Sequence, residues 1–112
     1  MKKKKITIDI LEGIPNSKKI FAISGRDLGF KQRKHHKLNE LEDDNDIIEI
    51  EIANNIIFLS SSFFLGMFGE SVRKCGSKEK FKEKFIFKTN GQIESNIEDG
   101  INDALKNINP LV

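Results

Sequence analysis

The 112-residue chain reads as a small α/β domain, a mixed sheet of about four strands covered by helices. Three observations carry that reading. Residues 5–10 and 46–52 alternate isoleucine with polar residues, the period of a half-buried strand. Two later segments place apolar residues three and four apart, the spacing of an amphipathic helix. Strand and helix patterns also alternate along the chain. The strands at 47–52 and 84–88 are joined by a helical crossover, so they are expected to run parallel with a right-handed connection. No linker, low-complexity run or sequence repeat divides the chain. Residues 1–112 are therefore read as one domain, with 1–4 a basic, disordered end.

Taken in order, the first strand turns Ile6, Ile8 and Ile10 inward. Gly13 and Pro15-Asn16-Ser17 mark a turn. Residues 19–23 form a second apolar run, either a strand or the lead into a helix. Ser24-Gly25-Arg26-Asp27 has the Ser-x-x-acid form of a helix start, predicting a helix from Gly25 to about Leu41. Its apolar face is thin: Leu28, Phe30, Leu38 and Leu41. The same helix carries a basic block of Lys31, Arg33, Lys34, His35, His36 and Lys37, followed by Glu40, Glu42, Asp43 and Asp44. Anions at a helix C-terminus oppose its dipole, so fraying is expected before Asp43. With no aromatic platform and a net charge of only +2, the basic block is expected to be a solvated face. His35 and His36 point about 100° apart on a helix and have no Cys or His partner at ligand spacing, so no metal site is expected.

The strand at 46–52 turns Ile48, Ile50 and Ile52 inward, and Asn54-Asn55 breaks it. Ile56, Ile57, Phe58 and Leu59 then run straight into Ser60-Ser61-Ser62, residues suited to capping a helix. Phe64, Phe68 and Val72, with Met67 beside them, form the buried stripe of a helix reaching about Lys74, and Gly76 closes it. Ser77 is expected to cap a short helix at 78–82 that leans Phe81 on the core, and 84–88 is a strand. The Thr-x-x-Gln box of Thr89-Asn90-Gly91-Gln92 predicts a last helix from Gly91 to about Asn107, with Ile93, Ile97, Ile101, Leu105 and Ile108 inward. Pro110 ends the fold.

Several function classes are disfavoured. A single Cys75 excludes an internal disulfide and suits a reducing cytosol. No apolar run approaches the ~18 residues of a membrane span, and the lysines at 2–5 are not followed by the apolar stretch of a signal peptide. A cytoplasmic location is expected. No Ser/His/Asp spacing, Gly-rich phosphate loop or HExxH motif is present, so neither an enzyme nor a cofactor is expected. The three serines are the distinctive chemistry: hydroxyls at a strand-to-helix junction, where the dipole favours negative charge.

Ser24-Gly25-Arg26-Asp27-Leu28, then Ser61-Ser62-Phe63 and Phe68-Gly69-Glu70, resemble a STAS-like bacterial family of unknown function, over residues 24–106. That family is related to the STAS domains of anti-anti-sigma factors. In those proteins the junction reads Asp-Ser-Ser-Gly and its first serine accepts phosphate from a kinase. Here Ser60 stands at the Asp position, Ser61 at the phosphoacceptor and Phe63 at the Gly. The resemblance implies a non-enzymatic regulatory module docking a protein partner such as a histidine-kinase-like ATPase. Ser61 would be the phosphoacceptor, and Ser60, Ser61, Ser62, Asn54 and Asn55 the contact surface. Two alternatives come from other classes: a small nucleic-acid-binding protein using residues 2–5 and 31–37, and a hydrolase or transferase with Ser61 as nucleophile.

Overall fold

The isoleucine-rich segments pair with one another across the helices that separate them. The computed structural model describes residues 3–89 and 91–106. The chain runs β1 (Lys5–Asp9), a 3-10 turn (Ser17–Lys19), β2 (Ala22–Ile23), α1 (Arg26–His35), α2 (Leu38–Asp44), β3 (Ile47–Glu51), β4 (Phe58–Leu59), α3 (Ser61–Cys75), α4 (Lys78–Lys84), β5 (Phe85–Lys88) and α5 (Glu94–Lys106). Strands β1, β3 and β5 form one sheet in that order, and β2 with β4 forms another. All of these pairings are parallel. The expected single mixed sheet of about four strands is thus corrected to two parallel sheets of three and two strands. The reason is topological: each described pair is separated in sequence by helix, and tight hairpins, which make antiparallel neighbours, join none of them.

Strand β3 lies at the centre, as its alternation predicted. In register, Ile6 faces Ile48 and Ile48 faces Phe85, while Ile8 faces Ile50 and Ile50 faces Phe87. Ile8, Ile48, Ile50 and Phe85 are buried. The opposite face is polar: Thr7 Oγ1 donates to Glu49 at 2.9 Å, and Lys5 and Lys88 pair with Glu49 at 3.3 and 3.7 Å. Parallel sheets are usually covered on both faces. Here a crosswise ladder of charge takes the place of the second layer.

A repeat invisible in the sequence appears in three dimensions. Twice the chain passes through a long strand, a two-residue strand and a helix; the third pass has only the long strand and the helix. In that third pass the Asn96 side chain accepts from the Leu59 N–H at 3.1 Å, so a side chain meets β4 where a third short strand would pair. Helix α3 is flanked by α1 on one side and α5 on the other. Phe64, Met67, Phe68 and Val72 of α3 are fully buried, as the stripe predicted, and Phe63 is buried with them. Phe64, Phe68, Phe81, Phe85 and Phe87 interlock beneath it, Phe81 stacking on Phe85 with centroids 4.7 Å apart. Such pairs add about 0.5–1.5 kcal/mol each beyond the area they bury. Gly76, at φ 86°, closes α3 with its N–H on Val72 O.

Four local expectations change. The predicted helix from Gly25 to Leu41 breaks at His36–Lys37 into α1 and α2, with Lys37 at φ 52°. Ser24 does not cap α1: the cap position falls on Gly25, without a side-chain bond. Helix α2 holds to Asp44 rather than fraying, because the Lys84 ammonium donates to Glu42 O and Asn45 O at 2.9 and 2.8 Å and so offsets the C-terminal dipole. Helix α5 opens at Glu94, after a turn with Gly91 at φ 94°, not directly from the Thr89 box. Asn90 of that box, residues 1–2 of the basic end, and the expected positions of Asn107, Ile108 and Pro110 lie outside the described residues. Among the described residues no helix is long and apolar enough to cross a membrane.

Candidate functional site

The serine junction divides its labour. Strand β4 brings the chain beside β2, and Ser60 N–H donates to Ile23 O at 2.9 Å. Ser60 is the cap of α3: its Oγ accepts from Phe63 N–H at 3.1 Å and its carbonyl from Phe64 N–H at 3.1 Å. One of the free N–H groups opening the helix is thereby satisfied by a side chain, and the serine that does it is committed to structure. Ser61 and Ser62 belong to the first turn instead, Ser61 half-buried and Ser62 exposed. Their hydroxyls stand where the dipole and backbone donors favour an anion.

Asn54 and Asn55 are both exposed. Asn55 nonetheless has structural work. Its Nδ2 donates to the Ser17, Lys18 and Ile20 carbonyls, tying the β3–β4 loop to the 3-10 turn. Beside this loop lie three large apolar side chains that the sequence reading did not single out. Phe21, Ile57 and Phe58 are 62%, 53% and 45% exposed, and Ile57 N–H donates to Phe21 O at 2.8 Å. The signal available is the apolar run before the serines, whose composition alone does not say which of its side chains face the core. Only Ile56 and Leu59 of that run are buried.

The basic block divides too. Lys31, Lys34 and Lys37 are exposed, as expected of a solvated face. Arg33 is not: it is 8% exposed and sits at the centre of a polar network. Its Nη1 donates to Met67 O at 2.7 Å and Ser71 Oγ at 2.9 Å, and its Nη2 to Asn39 Oδ1 at 2.6 Å and Glu42 Oε2 at 3.1 Å. Ser71 Oγ donates to the same Glu42 oxygen at 2.7 Å, and Glu70 pairs with Arg33 at 3.2 Å. The reach is possible because α1 and α3 touch through glycine. A Cβ placed on Gly29 would lie 2.4 Å from Phe63 O, and one on Gly66 2.3 Å from Arg26 O. With Gly29 taking the contact, Phe30 is turned outward and is 48% exposed, contrary to its reading as core.

His35 and His36 meet edge to face with centroids 5.0 Å apart, and His35 Nε2 lies 3.6 Å from Glu12 Oε2. Burial lowers the His36 pKa below the ordinary histidine value, against the opposing pull of Glu12, and its Nε2 is enclosed without a partner. Gln32 holds the same turn by donating to Ile10 O at 2.8 Å and Glu12 O at 3.0 Å. Cys75 is a half-buried free thiol whose pKa burial raises, which disfavours the reactive thiolate. Gly29 meets Phe63, and Arg33 meets Met67 and Ser71, so the histidines that follow Arg33 lie toward the C-terminal end of α3 and away from Ser61 at its start. No family model, curated protein or solved structure matches the chain.

Proposed function

We propose that this protein is a non-enzymatic, STAS-like regulatory module of the cytoplasm that docks a protein partner through the β2–β4 end. The observation that carries the reading is the exposure of three large apolar side chains, Phe21, Ile57 and Phe58, along the β2–β4 pair that leads into Ser61 and Ser62. Large apolar side chains grouped in this way on a small domain are characteristic of interaction sites. In this reading Ser61 is the switch. A phosphoryl group there brings a charge of about −2, tolerated by the helix N-terminus but not by an apolar partner surface. Asn54 and Ser62 contribute polar rim contacts, while Ser60 and Asn55 shape the surface through the bonds described above. The partner class is a histidine-kinase-like ATPase, as the sequence resemblance implies.

The test is binding to such an ATPase encoded in the same genome. Ser61→Asp should leave the melting temperature nearly unchanged, within about 1 kcal/mol of stability. It should weaken binding far more, because a charge buried unpaired at an interface costs several kcal/mol. Phe58→Asp should do the same without touching the serine. If both variants bind as the parent does, the surface is wrongly placed. If Ser61→Asp unfolds the protein, Ser61 is needed for the fold and is not the switch.

A further inference from the structure

Along the outer side of the α1–α3 contact runs a groove that the serine surface does not use. Its first part, a cleft of about 410 Å³, is lined among others by Phe30, Leu38, Leu65 and Gly66, with Lys34, Lys37 and Arg73 at its rim. A second cleft continues it past Phe30, Leu65 and Arg73 to Arg26. The glycine contact makes the groove. Gly29 and Gly66 bring the two backbones together, and the neighbouring residues Phe30 and Leu65 give both clefts an apolar lining. Arg73 lies back along α3 over Gly69, where an added Cβ would come within 3.4 Å of its Nη1.

The charges on this groove are unbalanced. Arg26, Lys34, Lys37 and Arg73 are all exposed, and among the described residues none has an ion pair or hydrogen bond from its side chain. Of the two acids lining it, Glu70 shares Arg33 with the buried Glu42, so Glu40 and Glu70 together stand against the four unpaired cations and the groove keeps a net positive charge. Lys37 is also held at φ 52°, a left-handed conformation disfavoured for a lysine. A strained lysine therefore stands at the rim where Asn or Gly would be the easier residue.

We infer that this groove binds an acidic segment of a partner protein, with an apolar side chain of that segment seated between Phe30 and Leu65 and its carboxylates on Arg26, Lys34, Lys37 and Arg73. The groove is open along its length, whereas small-molecule sites enclose most of their ligand. A nucleic-acid strand fits it less well: among the described residues Phe30 is the one aromatic lining the groove, where strand binding stacks successive bases on several, and Glu40 and Glu70 would face the phosphates. A peptide can place carboxylates opposite the cations and avoid the acids. This site rests on residues other than the serines and holds whether or not Ser61 is modified.

An array of short Glu- and Asp-rich peptides, each with one Leu or Phe at a varied position, tests it by fluorescence anisotropy on the full chain. Lys-rich peptides, peptides with Ser for the apolar residue and a thymidine oligonucleotide serve as comparisons. Acidic peptides with the apolar residue should bind at least about tenfold more tightly than their Ser counterparts. The double variant Arg26→Glu, Arg73→Glu should abolish that binding with no fall in melting temperature, since these side chains hold nothing in the fold. Phe30→Ser should remove the advantage of the apolar residue while keeping the residual salt-dependent attraction. The inference is overturned if no acidic peptide exceeds the Lys-rich control, if Leu, Phe and Ser peptides bind alike, or if the oligonucleotide binds more tightly than every peptide. It is equally overturned if the double variant changes only self-association in sedimentation while peptide binding persists.

Discussion

Helix α3 is held on its two sides by opposite means. Toward α4, α5 and β5 it packs with aromatic bulk: Phe64, Phe68, Phe81 and Phe85 are all buried, and Phe64 lies over Gly100, where a Cβ would come within 2.4 Å of its ring. Toward α1 it packs with almost no side-chain volume, through Gly29 and Gly66, and is then riveted by the hydrogen bonds of Arg33, Ser71 and Glu42. The first side draws its energy from area removed from water, which tolerates small shifts. The second draws on directional bonds between groups already dehydrated, where losing one partner strands the other. One side supplies stability; the other fixes how α1 lies.

Four experiments can break or sharpen that contrast. The largest effect belongs to the aromatic side: Phe68→Ala should cost about 3–5 kcal/mol in a denaturant melt, through transfer and an unfilled cavity. A loss below about 1 kcal/mol would mean the cluster is not the stabilising side. Next comes Arg33→Ala, expected near about 3 kcal/mol because the Glu42 carboxylate would stay buried with only Ser71 to bond it. Here the decisive quantity is the double-mutant cycle with Glu42→Ala, which should recover much of that loss. If the two losses simply add, the network is not coupled. Gly29→Ala is smaller, about 1–3 kcal/mol, since the helices must separate to admit one methyl against backbone. Its signature is a selective loss of α1 amide protection in hydrogen exchange, with the aromatic cluster intact.

The smallest effect is that of pH at the turn α1 clasps. Burial holds the His36 pKa below its ordinary value of 6.5, so the unfolded chain takes up a proton that the folded one resists. The sign follows from linkage: this contribution is fully present above about 6.5 and is lost as pH falls through the lower, folded-state value. His36→Asn should flatten the acid limb of a stability-pH profile over that window. An unchanged acid limb would place the loss in the carboxylates alone.

The same contrast explains what the sequence disclosed. The aromatic side was legible because burial by area needs only periodicity: Phe64, Phe68 and Val72 repeat every four residues, and all three are buried. The α1 side was not. Arg33 sits among Lys31, Lys34 and Lys37, and nothing local distinguishes the one that finds Glu42 and Ser71 from those that stay in solvent. Apolar spacing puts Phe30 on the helix's apolar face and does not reveal that a neighbouring glycine has claimed the contact. At the candidate site the helix start and its cap were readable from Ser60-Ser61-Ser62. The outward turn of Ile57 and Phe58 was not, because it depends on β4 lying beside a strand more than thirty residues earlier, Phe58 aligning with Ala22.

Parallel pairing through helices also sets how this chain must find its shape. Strand β1 meets β3, β2 meets β4 and β3 meets β5 only after a helix has been threaded between them. Such a sheet has no hairpin from which to grow, and each pairing closes a long loop whose entropy is lost before any contact repays it. Helix formation and local hydrophobic collapse are fast elementary steps, so strand register is expected to arrive after them. Refolding should therefore be slow for a domain of this size, in the range of milliseconds to seconds. Phe68→Ala, if α3 belongs to the nucleus, should slow folding rather than speed unfolding.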